Sequence, residues 1–171
     1  MAGVRMREQY VEISARPDAA FYARQHVRRV LLAWGCRELT DTAELITSEL
    51  VTNAVKATRD IGSSLESAAR CGIPDYIWMD LHRATGLVVL EVWDAGRKPP
   101  VLREPAVDDE SGRGLQLVDA LAYSWGYRLP VTGGKIVWCA LEDPPTGETA
   151  GWCKSRPPRD PCGQAGRWFE S

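Results

Sequence analysis

Hydrophobic positions recur along the chain with a period near two in some stretches and near 3.6 in others, and this alternation predicts the elements. Residues 7–14, REQYVEIS, alternate as a first strand does. Pro17 fits the first turn of a following helix, where its missing N–H is not needed. Ala20, Ala23, Val27, Val30, Leu31 and Trp34 then recur at helical spacing, and Gly35 is the expected stop. A second helix is predicted from near Asp41, where Asp41 with Glu44 makes a capping-box variant, through AELITSELVTNAVKAT. Gly62, Ser63 and Ser64 open a polar stretch to Pro74, either a loop or a short extra helix.

Two strands follow. One is residues 76–82, with Ile77, Met79 and Leu81 on one face; the other is residues 87–94, joined to it by a turn at Thr85-Gly86. The segment from Gly96 to Gly112 holds Pro99, Pro100, Pro105 and four acidic residues, and predicts a long mobile loop of the kind that usually carries function. A helix over 114–122 and strands over 123–129 and 135–141, the last two turning at Gly133-Gly134, complete the pattern. Helices and antiparallel strands sharing one core imply an α+β sandwich. Residues 1–142 are expected to form one domain. Residues 143–171, rich in Pro, Gly and polar residues, are expected to form a flexible tail in which Trp152, Trp168 and Phe169 could dock.

Composition narrows the class. The 171 residues suit a single domain, and 44% apolar residues suffice for a core. A net charge of -2 argues against a dedicated nucleic-acid binder, which usually carries a basic surplus. The N-terminus has no apolar signal region, and no apolar run approaches the length of a membrane span, so a cytoplasmic protein is expected. Five cysteines without a CxxC pair fit free thiols in a reducing compartment better than disulfides or zinc.

Three polar clusters carry candidate chemistry. Glu49, Asn53 and Lys56 stand at i, i+4 and i+7 on the second helix, within an arc of roughly 60°. They border the apolar stripe of Ile46, Leu50, Ala54 and Ala57, where a cleft would form. Taken alone, the trio is as well explained by a solvated helix face. Asp94-Ala95-Gly96 closes an apolar strand. The Asp can accept from an amine such as the adenine 6-amino group, and the Gly lets backbone approach a flat ring; a simple strand-ending turn would look the same. Ser111-Gly112-Arg113-Gly114-Leu115 precedes a helix, where free N–H groups and the dipole suit phosphate, and where a hinge would also fit. Neither the dinucleotide fingerprint nor a Walker A loop is present. His26 and His82 lack partners for a site and are expected to be structural. Trp34, Trp78, Trp93 and Trp138 are expected in the core; Arg24 and Arg28 are expected on a solvated face, with a partner-facing role the alternative.

The order Glu-x-x-x-Asn on a helix, Asp-x-Gly after a strand and Gly-x-Gly before a helix resembles the GHKL ATPase superfamily, which includes gyrase-type ATPases and histidine kinases. ELVTNAVKA, DAG and GRGLQLV carry the resemblance over residues 45–118. Within the superfamily the chain is most similar to the small stand-alone anti-sigma-factor serine kinases of bacteria. The resemblance implies a Bergerat-type two-layer sandwich, a mixed but mostly antiparallel sheet covered on one face by helices. It implies ATP and Mg²⁺ as ligands, with Glu49 as catalytic base and Asn53 as metal ligand. Lys56, Gly112, Arg113, Gly114 and Leu115 would lie at the phosphates and their lid, and Asp94 and Gly96 at adenine. It further implies a sigma factor or other transcription regulator and an antagonist protein as partners, with a homodimer compatible. A non-catalytic ATP-dependent binding module and a detached histidine-kinase catalytic domain are the alternatives. The chain departs from the pattern in having Ala57 where many relatives carry His or Tyr, in a longer 58–75 region and in the tail.

Overall fold

A computed structural model describes residues 9–64, 75–84, 86–101 and 113–143, with the backbone alone at 62–64 and 113. The order is β1 (Val11–Ser14), α1 (Ala19–Ala33), a 3-10 turn (Arg37–Leu39), α2 (Thr40–Ser64), β2 (Tyr76–Ala84), β3 (Leu87–Asp94), α3 (Arg113–Leu121), β4 (Ser124–Arg128) and β5 (Lys135–Glu142). The five strands form one sheet in the order β1-β2-β3-β5-β4. Every described pairing is antiparallel, the extreme of the mostly antiparallel sheet expected. The three helices lie on one face of the sheet, and the fold is an α+β sandwich.

The core follows from the two periods. α1 buries Ala19, Ala23, Val27, Val30 and Leu31, and α2 buries Ala43, Ile46, Leu50, Val51, Ala54 and Val55. These stripes meet Ile77, Met79 and Leu81 of β2, Val88, Leu90 and Val92 of β3, and Val137, Cys139 and Leu141 of β5. Each fully buried large aliphatic contributes about 1.5–3 kcal/mol relative to exposure. α1 ends as its sequence dictates. Gly35 takes φ 77°, its N–H bonds the Leu32 carbonyl, and the Cys36 N–H bonds the Leu31 carbonyl at 2.9 Å, which is a Schellman closure.

Several expectations are corrected. Pro17 lies before the cap residue Asp18 rather than inside the first turn, because α1 starts at Ala19. α2 starts at Thr40, directly on the 3-10 turn, so Asp41 sits inside the helix instead of capping it. α2 also continues through Gly62 to Ser64. β2 runs on to Ala84, so His82 lies within the strand rather than at its end. Of the four tryptophans expected in the core, Trp34 packs against it, whereas Trp78, Trp93 and Trp138 of the strands do not. Trp78 and Trp93 pair across β2 and β3, and stack with centroids 6.4 Å apart on the face away from the helices. Tyr10 and Tyr76 extend that row at 5.8 Å each, and Trp138 lies half-buried over Gly126. Strand parity decides this, because residues 77, 79 and 81 already fill the core side. The remainder of the 58–75 region, most of the 96–112 loop and the tail beyond Asp143 lie outside the described residues.

His26 is structural, as expected. It is buried in α1, with Nε2 2.9 Å from the Gln9 carbonyl and Nδ1 3.2 Å from the Arg29 guanidinium. These partners require a neutral ring that donates from Nε2 and accepts at Nδ1. Burial pushes His26 below its ordinary value of 6.5, and Arg29 acts in the same direction against the Gln9 carbonyl and Asp80. The unfolded chain therefore takes up this proton at a higher pH than the folded one. The contribution is complete above pH 6.5 and is lost as pH falls through the lowered native value. Urea midpoints should fall from pH 7 to pH 5, and His26→Gln should flatten that slope.

Arg24 and Arg28 are not simply solvated, since both bind α2. Arg24 donates to Ser48 Oγ at 3.0 Å, and Arg28 pairs with Glu44 at 3.3 Å. At the far end of the sheet, Arg83 of β2 donates to the Trp34 carbonyl at 3.0 Å and to Cys36 Sγ at 2.7 Å, and pairs with Asp143 at 3.0 Å. That cluster ties the end of α1 to the exit of β5.

Candidate functional site

α2 is flanked by α1 on one side and α3 on the other, and its edge toward α3 carries the polar trio. Glu49 is half-buried, while Asn53 and Lys56 are exposed one and two turns further along. The first turn of α3 meets this edge. A Cβ at Gly114 would run into the Glu49 carboxylate and stand 3.2 Å from its Cδ. Glycine there lets the start of α3 press on the helix that bears Glu49. The N–H groups and dipole of a helix start favour an anion, whether carboxylate or phosphate. Leu115, next in the chain, is buried and anchors α3 in the core. The Arg113 side chain and Gly112 lie outside what the structure describes. Past Asn53, Lys56 and Arg59 line an open groove of about 310 Å³ with Val55 and Asp60.

The second cluster forms where β3 ends. Asp94 is 1% exposed, because residues 88, 90 and 92 set the parity that points it at the helices. Its Oδ1 accepts from the Gly96 N–H at 2.8 Å, which tightens the turn after the strand. The same oxygen accepts from Lys135 Nζ at 2.7 Å. Burial pushes the Asp94 carboxyl above the usual carboxylate range, against the opposing pull of the Lys135 ammonium and the Gly96 N–H. Thr58 of α2 accepts from the Ala95 N–H at 3.2 Å, which docks the turn on the helix. A Cβ at Gly96 would stand 3.1 Å from Ala57 Cβ and 2.9 Å from Asp94 Oδ1, so this backbone forms a tight cradle only as glycine.

Sequence reading missed Thr58 and Lys135. Thr58 extends the trio's helix by half a turn and reads as an ordinary buried threonine. Lys135 lies 41 positions from Asp94 and becomes its neighbour only through the β3–β5 register, in which Asp94 faces Lys135. Gly134, with φ 69°, allows that approach, since a Cβ there would meet the Asp94 carbonyl.

The elements thus set a polar helix edge bearing Glu49, a glycine at a helix start and a buried Asp-x-Gly turn around one side of α2. A family model described as a histidine kinase-like ATPase domain matches residues 13–141, from β1 to β5. The chain belongs to this family. No curated protein matches the chain. Histidine kinase-like ATPase domains bind ATP, usually with Mg²⁺, and the residues here suit both. The Gly96 cradle beside Asp94 suits a flat base with an exocyclic amine. Among the described residues no cluster of three or more His, Cys, Asp or Glu could hold a metal alone. Mg²⁺ carried by phosphates needs only one or two protein oxygens, and the Asn53 amide could supply one. Among the described residues no helix is long and apolar enough to cross a membrane.

Proposed function

We propose that this histidine kinase-like ATPase domain is an ATP-dependent regulatory serine/threonine kinase of the anti-sigma type. It would transfer the γ-phosphoryl group of ATP to a serine of a small antagonist protein, and hold a sigma factor or related regulator when not doing so. The observation that carries the reading is the Glu49 carboxylate seated against Gly114 at the start of α3. A base on the rim of a phosphate-binding helix start is where an attacking hydroxyl must lose its proton.

In this reading Asp94 accepts from the adenine 6-amino group, and Gly96 carries the flat ring against the backbone. Lys56 and Arg113 neutralise phosphate oxygens, and Gly112 and Gly114 let the lid close over them. Leu115 fixes the lid's hinge to the core. Asn53 would hold Mg²⁺, which would supply charge neutralisation at the phosphates when bound. Glu49 takes the proton of the serine hydroxyl as its oxygen bonds to the γ-phosphorus. The bond from that phosphorus to the bridging oxygen breaks, and ADP keeps the electron pair. The Ser/Thr specificity follows the family resemblance.

The test is a melting experiment with Mg²⁺ and ATP, followed by transfer of labelled γ-phosphate to candidate regulators. ATP at 100 times its Kd should stabilise the fold by about 2.7 kcal/mol. Acid-stable label on a partner serine is the expected product. No thermal shift removes the ATP site. A shift without transfer leaves a non-catalytic ATP-dependent binding module, and acid-labile label makes the chain a histidine-kinase catalytic domain.

A further inference from the structure

Lys135 is buried, with its side chain 8% exposed, at the first position of β5. An ammonium has three donors. Among the described residues, the hydrogen bond found for Lys135 is the one to Asp94 Oδ1. A cation this buried is costly even when paired, and an apolar side chain would fill the same volume at no loss of stability if packing were the whole purpose. The Nζ lies 3.3 Å from where a Cβ at Gly96 would stand, so the ammonium opens on the same cradle that Asp94 borders.

The pair has a chemical polarity. An ionised Asp94 can only accept and Lys135 can only donate, and the two sit side by side. Adenine presents the complement on adjacent positions of one edge: a 6-amino group that donates and N1 that accepts. A 6-oxo purine presents the reverse, a carbonyl at position 6 and an N–H at position 1.

We propose that Lys135 is a specificity-determining residue of the nucleotide site, donating from Nζ to N1 of adenine while Asp94 accepts from the 6-amino group. The proposal rests on the ATP-site reading and deepens it. It makes the base selected by two opposite charges in contact, so that a guanine or hypoxanthine nucleotide meets donor against donor and acceptor against acceptor.

The full chain is titrated, with Mg²⁺ present, with ATP, with GTP and with 1-deaza-ATP, which keeps the 6-amino group and replaces N1 by C–H. Wild type should bind 1-deaza-ATP and GTP at least about tenfold more weakly than ATP. Lys135→Met, or Lys135→Thr if the first does not fold, should bind ATP and 1-deaza-ATP within about twofold of each other. A purely structural role for Lys135 would weaken both nucleotides alike and keep their ratio. Equal binding of ATP and 1-deaza-ATP by wild type overturns the proposal, as does discrimination that survives in the variant. A chain that binds no nucleotide overturns the ATP-site reading itself, an outcome distinct from binding both equally.

Discussion

Asp94→Ala is expected to lower folding stability by about 3–5 kcal/mol and to abolish ATP binding, because it strands the Lys135 ammonium in the interior. Lys135 Nζ lies 2.7 Å from Asp94 Oδ1, with the two side chains only 8% and 2% exposed. The Gly96 N–H loses its acceptor in the same step, which loosens the turn beside Ala57. Urea unfolding of the variant measures the loss. Asp94→Ala combined with Lys135→Met removes both charges, and replacing a buried ion pair with apolar groups is often neutral. The double variant should therefore regain most of the stability and none of the ATP binding. A single variant that costs under about 1 kcal/mol would mean the pair is hydrated. A double variant that binds ATP would mean that Asp94 does not read the base.

How far this pair was legible in the sequence shows what local pattern can carry. Asp94-Ala95-Gly96 stood out because it closes an apolar strand, and strand parity alone buries Asp94. Lys135 did not, because nothing near Gly133-Gly134-Lys135 says which strand β5 joins. The strand order places β5 between β3 and β4, and only the resulting register sets Lys135 opposite Asp94. The helical trio was visible in the same way, since Glu49, Asn53 and Lys56 share an arc beside the buried stripe. That Glu49 is half-buried while the other two are exposed depends on where α3 lands, which is a tertiary fact. The boundary errors have local causes. Gly62 is a weak helix breaker, costing about 1 kcal/mol against Ala, and a helix already anchored by nine buried positions can run past it. An aromatic in an apolar run predicts a core position, and Trp78, Trp93 and Trp138 depart from that rule because they fall on the opposite strand parity. In β2 and β3 the face away from the helices mixes Asp80, His82 and Glu91 with the Tyr10–Trp78–Trp93–Tyr76 row.

Glu49→Gln is expected to slow phosphoryl transfer by about 10²–10⁴-fold, the usual worth of a positioned base, while leaving ATP affinity nearly unchanged. The side chain keeps its shape and its place against Gly114, so a change in rate with constant affinity isolates proton transfer from binding. Gly114→Ala provides the geometric counterpart. The added methyl would occupy the position of the Glu49 carboxylate, and that carboxylate is the far end of a flexible side chain that can swing aside. Stability should hold, since Ala is favoured over Gly in a helix by about 1 kcal/mol, which offsets the local crowding. Transfer should nevertheless fall, because the base is chemically intact but displaced. Single-turnover transfer of labelled phosphate, with ATP affinity measured alongside, separates the cases. Both variants slow and both folded would tie catalysis to the position of this carboxylate. A Glu49→Gln protein that transfers phosphate at the wild-type rate would remove Glu49 from the chemistry. The site would then be left with binding alone, in which ATP orders the approach of α3 to α2 and the partner reads that arrangement.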